Sequence, residues 1–288
     1  MIPAIFKDEN LQQAFDENGY AIIPLLNSEE VKLLTEIFKQ YHPDNKPNTF
    51  GSSSFFAEKD EKIKIKEALF PIFENHFNRI FKDFTYFGSS FLYKTKGKKS
   101  FLAPHQDWSI VDEKKFVALN IWTPLVDTNK DNGTLYVVPK SQAQKLFSIR
   151  APTLPFYFQD YMNTVENCAV PTNAKVGEAV ILNQSIIHFS SANRTDQNRI
   201  AITSGIKSKD APMNFHFLND QNMVERYLVN DDFFLDFENF NQNIYERPKN
   251  GVLIECFSPT NITLSKAAFL KKFPLQKSLW SRFGFTNK

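Results

Sequence analysis

The sequence predicts a mainly β fold with flanking helices, a sandwich or barrel of antiparallel strands with helices packed outside. Three observations predict it. Helical patterns occupy the first 84 residues, short segments rich in β-branched and aromatic residues recur from 85 to about 210, and clusters of Asn, Asp and Gly separate those segments.

Residues 9–19 read as a short helix closed by Gly19, a residue type that terminates helices readily. A strand follows from Tyr20 into the Pro24 turn. Ser28 is the expected N-cap of the next helix, with Glu29 and Glu30 in the first turn where the helix dipole favours anions. Val31, Leu34, Phe38 and Tyr41 recur at helical spacing, and Pro43 should stop the run. Residues 44–58 read as a loop. From about 60 to 81, Leu69, Phe73, Phe77 and Ile80 share one helical face, and Pro71 should kink that helix or split it. Strands are expected at 85–93, 116–124, 133–138, 179–183, 186–190 and 200–206, with turns at 127–133 and 193–198. Order weakens after Pro212, where 231–240 reads as a short helix and the Lys/Phe-rich end as a surface cap. The expectation is one domain over 1–288, with a mainly helical part at 1–84, a strand-built core at 85–210 and a C-terminal cap at 211–288.

Composition narrows the function classes. The 34 basic and 32 acidic residues nearly cancel, leaving a formal charge of +2, so neither nucleic acid nor a membrane surface is an expected partner. The cluster of Lys96, Lys98 and Lys99 is short enough to be a solvated loop. Cys168 and Cys256 share no ligand spacing, which argues against a disulfide framework or a cysteine zinc site. The N-terminal residues lack the pattern of a secretory signal and no apolar run approaches membrane-spanning length, so the expected compartment is the cytoplasm. Thirty phenylalanines fill a core or line an apolar pocket; composition does not separate the two.

Five histidines make the ligand question small. Two residues of a His-x-Asp triplet project from one face of an extended chain and reach one ion together. A second histidine from a distant strand would complete a facial triad with open positions for a keto acid and dioxygen. Two such triplets occur. His42-Pro43-Asp44 sits at a helix end and also looks like the turn of J-domain co-chaperones, although the preceding helix is not strongly basic. Pro104-His105-Gln106-Asp107-Trp108 lies just before the strand-rich half. After it come Ala118-Leu-Asn-Ile-Trp-Thr-Pro-Leu-Val-Asp, Asn132-Gly-Thr-Leu-Tyr-Val-Val-Pro, Gly177-Glu-Ala-Val-Ile-Leu and Ile187-His-Phe-Ser, with Arg199 eleven residues beyond His188.

This series, over roughly residues 10–210, resembles the phytanoyl-CoA dioxygenase-like family of iron(II)/2-oxoglutarate-dependent oxygenases. The resemblance implies a double-stranded β-helix, a distorted jelly roll, with His105, Asp107 and His188 as metal ligands. It implies Arg199 for the far carboxylate of 2-oxoglutarate, assisted by the Ser190 hydroxyl; Trp122 is a further candidate for the cofactor pocket. A guanidinium fork suits a carboxylate in a way lysine does not. The expected cofactor is Fe(II), with 2-oxoglutarate as co-substrate and dioxygen as oxidant. Halogenating relatives have a small residue at the Asp107 position, so a carboxylate there argues for hydroxylation of an unactivated C–H bond or another oxidation. The substrate would be a small molecule or an acyl- or amino-acid-type compound, with no obligate protein partner. Pro139-Lys-Ser-Gln142 departs from the family's frequent Pro-Gly-Ser-His without touching the metal ligands. Segments 47–57 and 148–164 are candidate lids, the latter through Phe156, Tyr157, Phe158 and Tyr161. Trp108 and Trp122 are each divided between core and pocket; His76 and His216 are expected to be structural. The competing readings are a catalytically inactive jelly roll that binds metal or ligand, and a J-type interaction module.

Overall fold

The computed structural model describes residues 4–42, 48–56, 58–143, 149–237, 243–259 and 264–276. Two sheets form the sandwich. The larger has six strands in the order β1 (Tyr20–Pro24), β8 (Glu178–Asn183), β5 (Ala118–Pro124), β10 (Arg199–Ser208), β3 (Phe84–Lys94) and β2 (Phe50–Ser52). The smaller has the order β4 (Leu102–His105), β9 (His188–Ser190), β6 (Leu135–Val137) and β7 (Val170–Pro171). Every pairing in the two sheets is antiparallel. The cupin-like jelly roll expected from the strand-rich half is therefore present, and the first 84 residues add two of its strands.

Alternation of side chains along each strand assigns the faces. Leu119, Ile121, Ala179, Ile181 and Ile202 point outward into a core shared with the helices. Trp122, Val180, Leu182 and Ala201 point inward and meet Leu135 and Val137 of the smaller sheet. Packing the six-stranded sheet against helices on one side and the second sheet on the other leaves β5 nearly all buried. Its sequence consequently shows little polar alternation.

The helices cover the outer face. In α1 (Glu9–Asn18) the Asp8 carboxylate accepts from the Leu11 N–H at 2.9 Å, and Gly19, at φ 79°, closes the other end. In α2 (Ser28–Tyr41) the cap is Asn27 and not Ser28. Asn27 accepts from the Glu29 and Glu30 N–H groups while Glu30 accepts from the Asn27 N–H, a reciprocal box that Ser28 would form only one residue out of register. A single turn, α3 (Ser53–Phe56), precedes α4 (Lys59–Ile80), which is continuous through Pro71. The expected split does not occur. Proline inside a helix costs roughly 3 kcal/mol, but Ile65, Leu69, Phe73 and Phe77 are each at most 2% exposed. Burying such side chains contributes about 1.5–3 kcal/mol apiece, which offsets it.

Beyond residue 210 the structure holds more than the sequence suggested. A third antiparallel sheet comprises β11 (Met213–Leu218), β12 (Val224–Val229) and β13 (Val252–Phe257). The stretch expected to be a helix at 231–240 is a single 3-10 turn at Phe233–Leu235, with 238–242 outside the described residues. A short helix, α5 (Met162–Asn167), packs near the smaller sheet, and α6 (Lys266–Lys272) sits beside it through Phe269 and Phe273. Among the described residues no helix is long and apolar enough to cross a membrane.

Candidate metal and co-substrate site

Cross-strand register builds the site. His105 ends β4, His188 begins β9, and the two face each other directly in the antiparallel ladder. Their ring centroids are 4.2 Å apart. Asp107 follows two residues after His105 on the loop leaving β4. One of its oxygens, Oδ1, lies 4.0 Å from His105 Nε2 and 3.8 Å from His188 Nε2. The three side chains form the one His/Cys/Asp/Glu cluster of metal-binding size among the described residues, with ligand atoms all within 4.8 Å of one another.

Each imidazole is oriented by its own strand. His105 Nδ1 lies 2.8 Å from the Ala103 carbonyl and His188 Nδ1 lies 3.0 Å from the Ile186 carbonyl. A carbonyl oxygen only accepts, so each Nδ1 carries the proton and each Nε2 offers a lone pair to the site. Burial first, and then the adjacent His188 ring, hold His105 below its ordinary pKa despite the opposing Asp107 charge. It is therefore neutral near pH 7, as a ligand must be.

The carboxylate is positioned with equal care. Asn120 on β5 donates to Asp107 Oδ2 at 3.0 Å, and Thr203 on β10 donates in turn to Asn120 Oδ1. The Asp107 backbone carbonyl accepts from Arg150 Nε at 2.7 Å, and the same guanidinium forms a two-pronged pair with Glu113. Gln106, between the two ligands, turns to the opposite side and donates to the Ser185 carbonyl.

Arg199 opens β10 on the inner face of the larger sheet. It is 1% exposed, and its Nε and Nη1 have no hydrogen-bond partner. The Trp122 ring lies 5.4 Å from its guanidinium carbon. Burial pushes the Arg199 pKa down to about 9, so the group is still cationic near neutrality. Its neighbour across the ladder is Lys94, fully buried, whose amine donates to the Ser190 and Ser191 carbonyls at 3.2 and 2.7 Å. Burial, and next the Arg199 charge, push Lys94 down to about 6. A charged fork, mostly unpartnered, thus faces a cavity whose one carboxylate among the described lining residues, Asp107, belongs to the triad and is held by Asn120. That is the arrangement expected of an anchor for a carboxylate brought by a ligand. His105, Asp107, His188, Ser190, Trp122 and Arg199 all line one cavity of about 710 Å³, so every expected site residue is brought together. Two imidazoles and a carboxylate suit ferrous iron, and the unpartnered guanidinium suits a dicarboxylate keto acid.

Other expectations need correction. Phe156, Tyr157, Phe158 and Tyr161 do not close over the cavity. They pack with Val165, Phe269 and Phe273 behind the smaller sheet, because that sheet's outer face needs an apolar cover. Within 47–57, of which 47 and 57 lie outside the described residues, Phe50–Ser52 pairs with β3, and Phe50, Ser52 and Ser53 line the cavity. Trp108 does both things, lining the cavity while packing on Phe215 and Phe234. The His42 ring stacks on Phe38 at 5.0 Å, turned inward rather than displayed, while Pro43 and Asp44 fall outside the described residues. His76 Nε2 lies 2.8 Å from Glu30, and His216 is buried in β11; both are structural. Asn120, the Arg150–Glu113 pair and Lys94 escaped the sequence reading. Their only sequence signal is alternation: Asn120 stands two residues from Trp122, on the same inward face.

Comparison with known proteins agrees with the site. The family model described as phytanoyl-CoA dioxygenase matches residues 15–201. A zebrafish (Danio rerio) protein, phytanoyl-CoA dioxygenase domain-containing protein 1, is 25% identical over 143 residues, 47% of this chain. That alignment takes in 45% of the relative's own length. Among solved structures, the non-heme alpha-ketoglutarate-dependent carbocyclase SnoK from nogalamycin biosynthesis superposes with a TM-score of 0.54 at 16% identity, covering 72% of this chain and 86% of that one. EvdO2 from Micromonospora carbonacea var. aurantiaca superposes with a TM-score of 0.50 at 18% identity, covering 72% and 94%. The epimerase SnoN, solved with Fe3+, alpha ketoglutarate and nogalamycin RO, gives 0.50 at 17% identity, covering 90% and 96%. At these identities the likeness is one of fold.

Proposed function

The chain belongs to the phytanoyl-CoA dioxygenase family of iron- and 2-oxoglutarate-dependent oxygenases, and from that premise we propose that it hydroxylates an unactivated C–H bond of a small-molecule, acyl- or amino-acid-type substrate. The observation that carries the reading is the pairing, in one cavity, of a preset His105–Asp107–His188 triad with the buried, unpartnered Arg199 fork. His105 and His188 would hold iron(II) through Nε2, and Asp107 through its carboxylate. Arg199 would pair the far carboxylate of 2-oxoglutarate, with the Ser190 hydroxyl and the Trp122 ring alongside. When bound, the metal and keto acid supply an oxidant made from dioxygen, and the keto acid leaves as succinate and carbon dioxide.

The protein's own work is orientation and exclusion. Ala103 and Ile186 fix the imidazole tautomers, Asn120 and Arg150 fix the Asp107 carboxylate and its backbone. The walls keep water from the reacting centre and present one C–H bond to it. Among the described lining residues Lys62, Lys99 and Arg199 face a single carboxylate, Asp107. A neutral or anionic substrate fits that balance, whereas a cationic one would find no counter-charge beyond the metal ligand.

Anaerobic titration with Fe(II) and 2-oxoglutarate tests the reading. Wild-type protein should develop the weak visible charge-transfer band of the chelated keto acid, and His188→Ala should lose it. A wild type without the band would sink the proposal; succinate release across a substrate panel separates an oxygenase from an inactive ligand-binding jelly roll.

A further inference from the structure

The family match ends at residue 201, yet the cavity does not. Phe234, Leu235 and Ile244 line it from the C-terminal part of the chain. Phe234 sits between two other lining rings. Its centroid is 5.8 Å from Phe87 and 5.8 Å from Trp108, with planes inclined by 30° in both cases. Trp108 directly follows Asp107 in the chain, and all three rings line the cavity that holds the triad. Beneath it, Phe233 and Phe237 are buried against Phe215 and fix the turn from behind.

The same turn is held by one face of a helix. Lys59, Lys62 and Lys66 of α4 recur at helical spacing. Lys59 Nζ lies 2.7 Å from Asp236, Lys66 Nζ lies 2.6 Å from Asp232, and Lys62 Nζ donates to the Phe237 carbonyl. A fourth tie comes from the buried Lys207, 3.2 Å from Asp231. Segment 231–237 is therefore fastened at both ends and in its backbone, with Phe234 and Leu235 turned to the cavity. Surface ion pairs add little to global stability, but several on one short segment fix its position.

We infer that segment 231–237 is the substrate-selecting wall of the site, that Phe234 and Leu235 set the size of apolar group admitted beside the triad, and that Lys59 and Lys66 are the residues that position this wall. The inference rests on the oxygenase reading for what lies beyond the wall, not for the wall itself. Phe87, at the far end of the row, packs directly over Gly205, so it has little room to shift and an added or removed ring at Phe234 changes the space left in the cavity.

The test is equilibrium dialysis of the full chain, with and without anaerobic Fe(II) and 2-oxoglutarate, against neutral alcohols of one, two and three fused rings: benzyl alcohol, 1-naphthalenemethanol and 9-anthracenemethanol. Wild type should bind the first two and discriminate against the third at least tenfold. Phe234→Ala should close that gap, with Phe234→Leu and Leu235→Ala intermediate. Lys59→Ala/Lys66→Ala should raise amide hydrogen exchange across 231–237 threefold or more while leaving the charge-transfer band in place, and the double Lys→Arg variant should restore protection. Identical size discrimination in wild type and in correctly folded Phe234 and Leu235 variants would overturn the inference. So would a wild type that binds none of the three alcohols, or exchange that the lysine variants leave unchanged. Loss of the band in wild type would strike the oxygenase reading alone, because the metal-free dialysis still reports on the wall.

Discussion

Replacing Arg199 with methionine should make the protein more stable and less able to bind its co-substrate at the same time. The guanidinium is 1% exposed with two nitrogens unpartnered. Burial lowers its pKa from 12.5 to about 9, and at about 1.4 kcal/mol per unit this bounds the cost of the charge near 5 kcal/mol. The Trp122 ring at 5.4 Å returns about 1–2 kcal/mol as a cation–π contact. A methionine of similar length removes the cost and keeps most of the packing, so the ligand-free variant should gain on the order of 3–4 kcal/mol, the sign seen when buried charges give way to apolar side chains. At about 2–4 °C per kcal/mol for chains approaching this size, the ligand-free unfolding midpoint should rise by roughly 6–16 °C. With Mn(II) in place of iron and 2-oxoglutarate at a hundred times its Kd, wild type should gain about 2.7 kcal/mol and the variant almost nothing. Thermal and urea unfolding, each with and without the keto acid, read both effects. A ligand-free variant less stable than wild type, or one that 2-oxoglutarate still stabilises, would refute the argument that this charge waits for a carboxylate.

Three further outcomes follow from the same geometry. Asn120→Ala removes the donor to Asp107 Oδ2 and should weaken metal binding about 10–100-fold, measured by competition with a chromophoric chelator. Arg150→Met leaves Glu113 without its cation and should destabilise the fold by about 3–5 kcal/mol, read by urea unfolding; it should also weaken metal binding because the Asp107 carbonyl loses its donor. Burial, aided by the Arg226 charge, pushes His216 from 6.5 down to about 4. The unfolded chain therefore takes up a proton there before the folded one does, so this contribution is complete above pH 6.5 and is lost as pH falls towards 4. Unfolding of His216→Asn should show a shallower decline than wild type across that window, by up to about 3 kcal/mol.

Much of the site was legible because chemistry and spacing coincide in it. His105 and Asp107 stand two apart on extended chain, and Arg199 lies eleven beyond His188, where β10 begins opposite the site. The supporting residues were not legible for a physical reason. Asn120, Arg150 and Lys94 act through contacts between elements distant in sequence, and no local period marks a residue whose partner is fixed only by folding. Helix α4 misled in the opposite direction, since Pro71 is a strong local signal overruled by four buried side chains. The strands after residue 210 escaped because β11 is mostly buried and β13 is mostly exposed. Neither alternates, so period two gives no sign of either.

The two ends of the site belong to different layers. Both imidazoles come from the four-stranded sheet and the guanidinium from the six-stranded one. A short dicarboxylate gripped at both ends would act as a cross-brace through the sandwich, stiffening one wall against the other. Its consumption in each turnover would release that brace, so the mouth of the barrel would breathe in step with the chemistry it encloses.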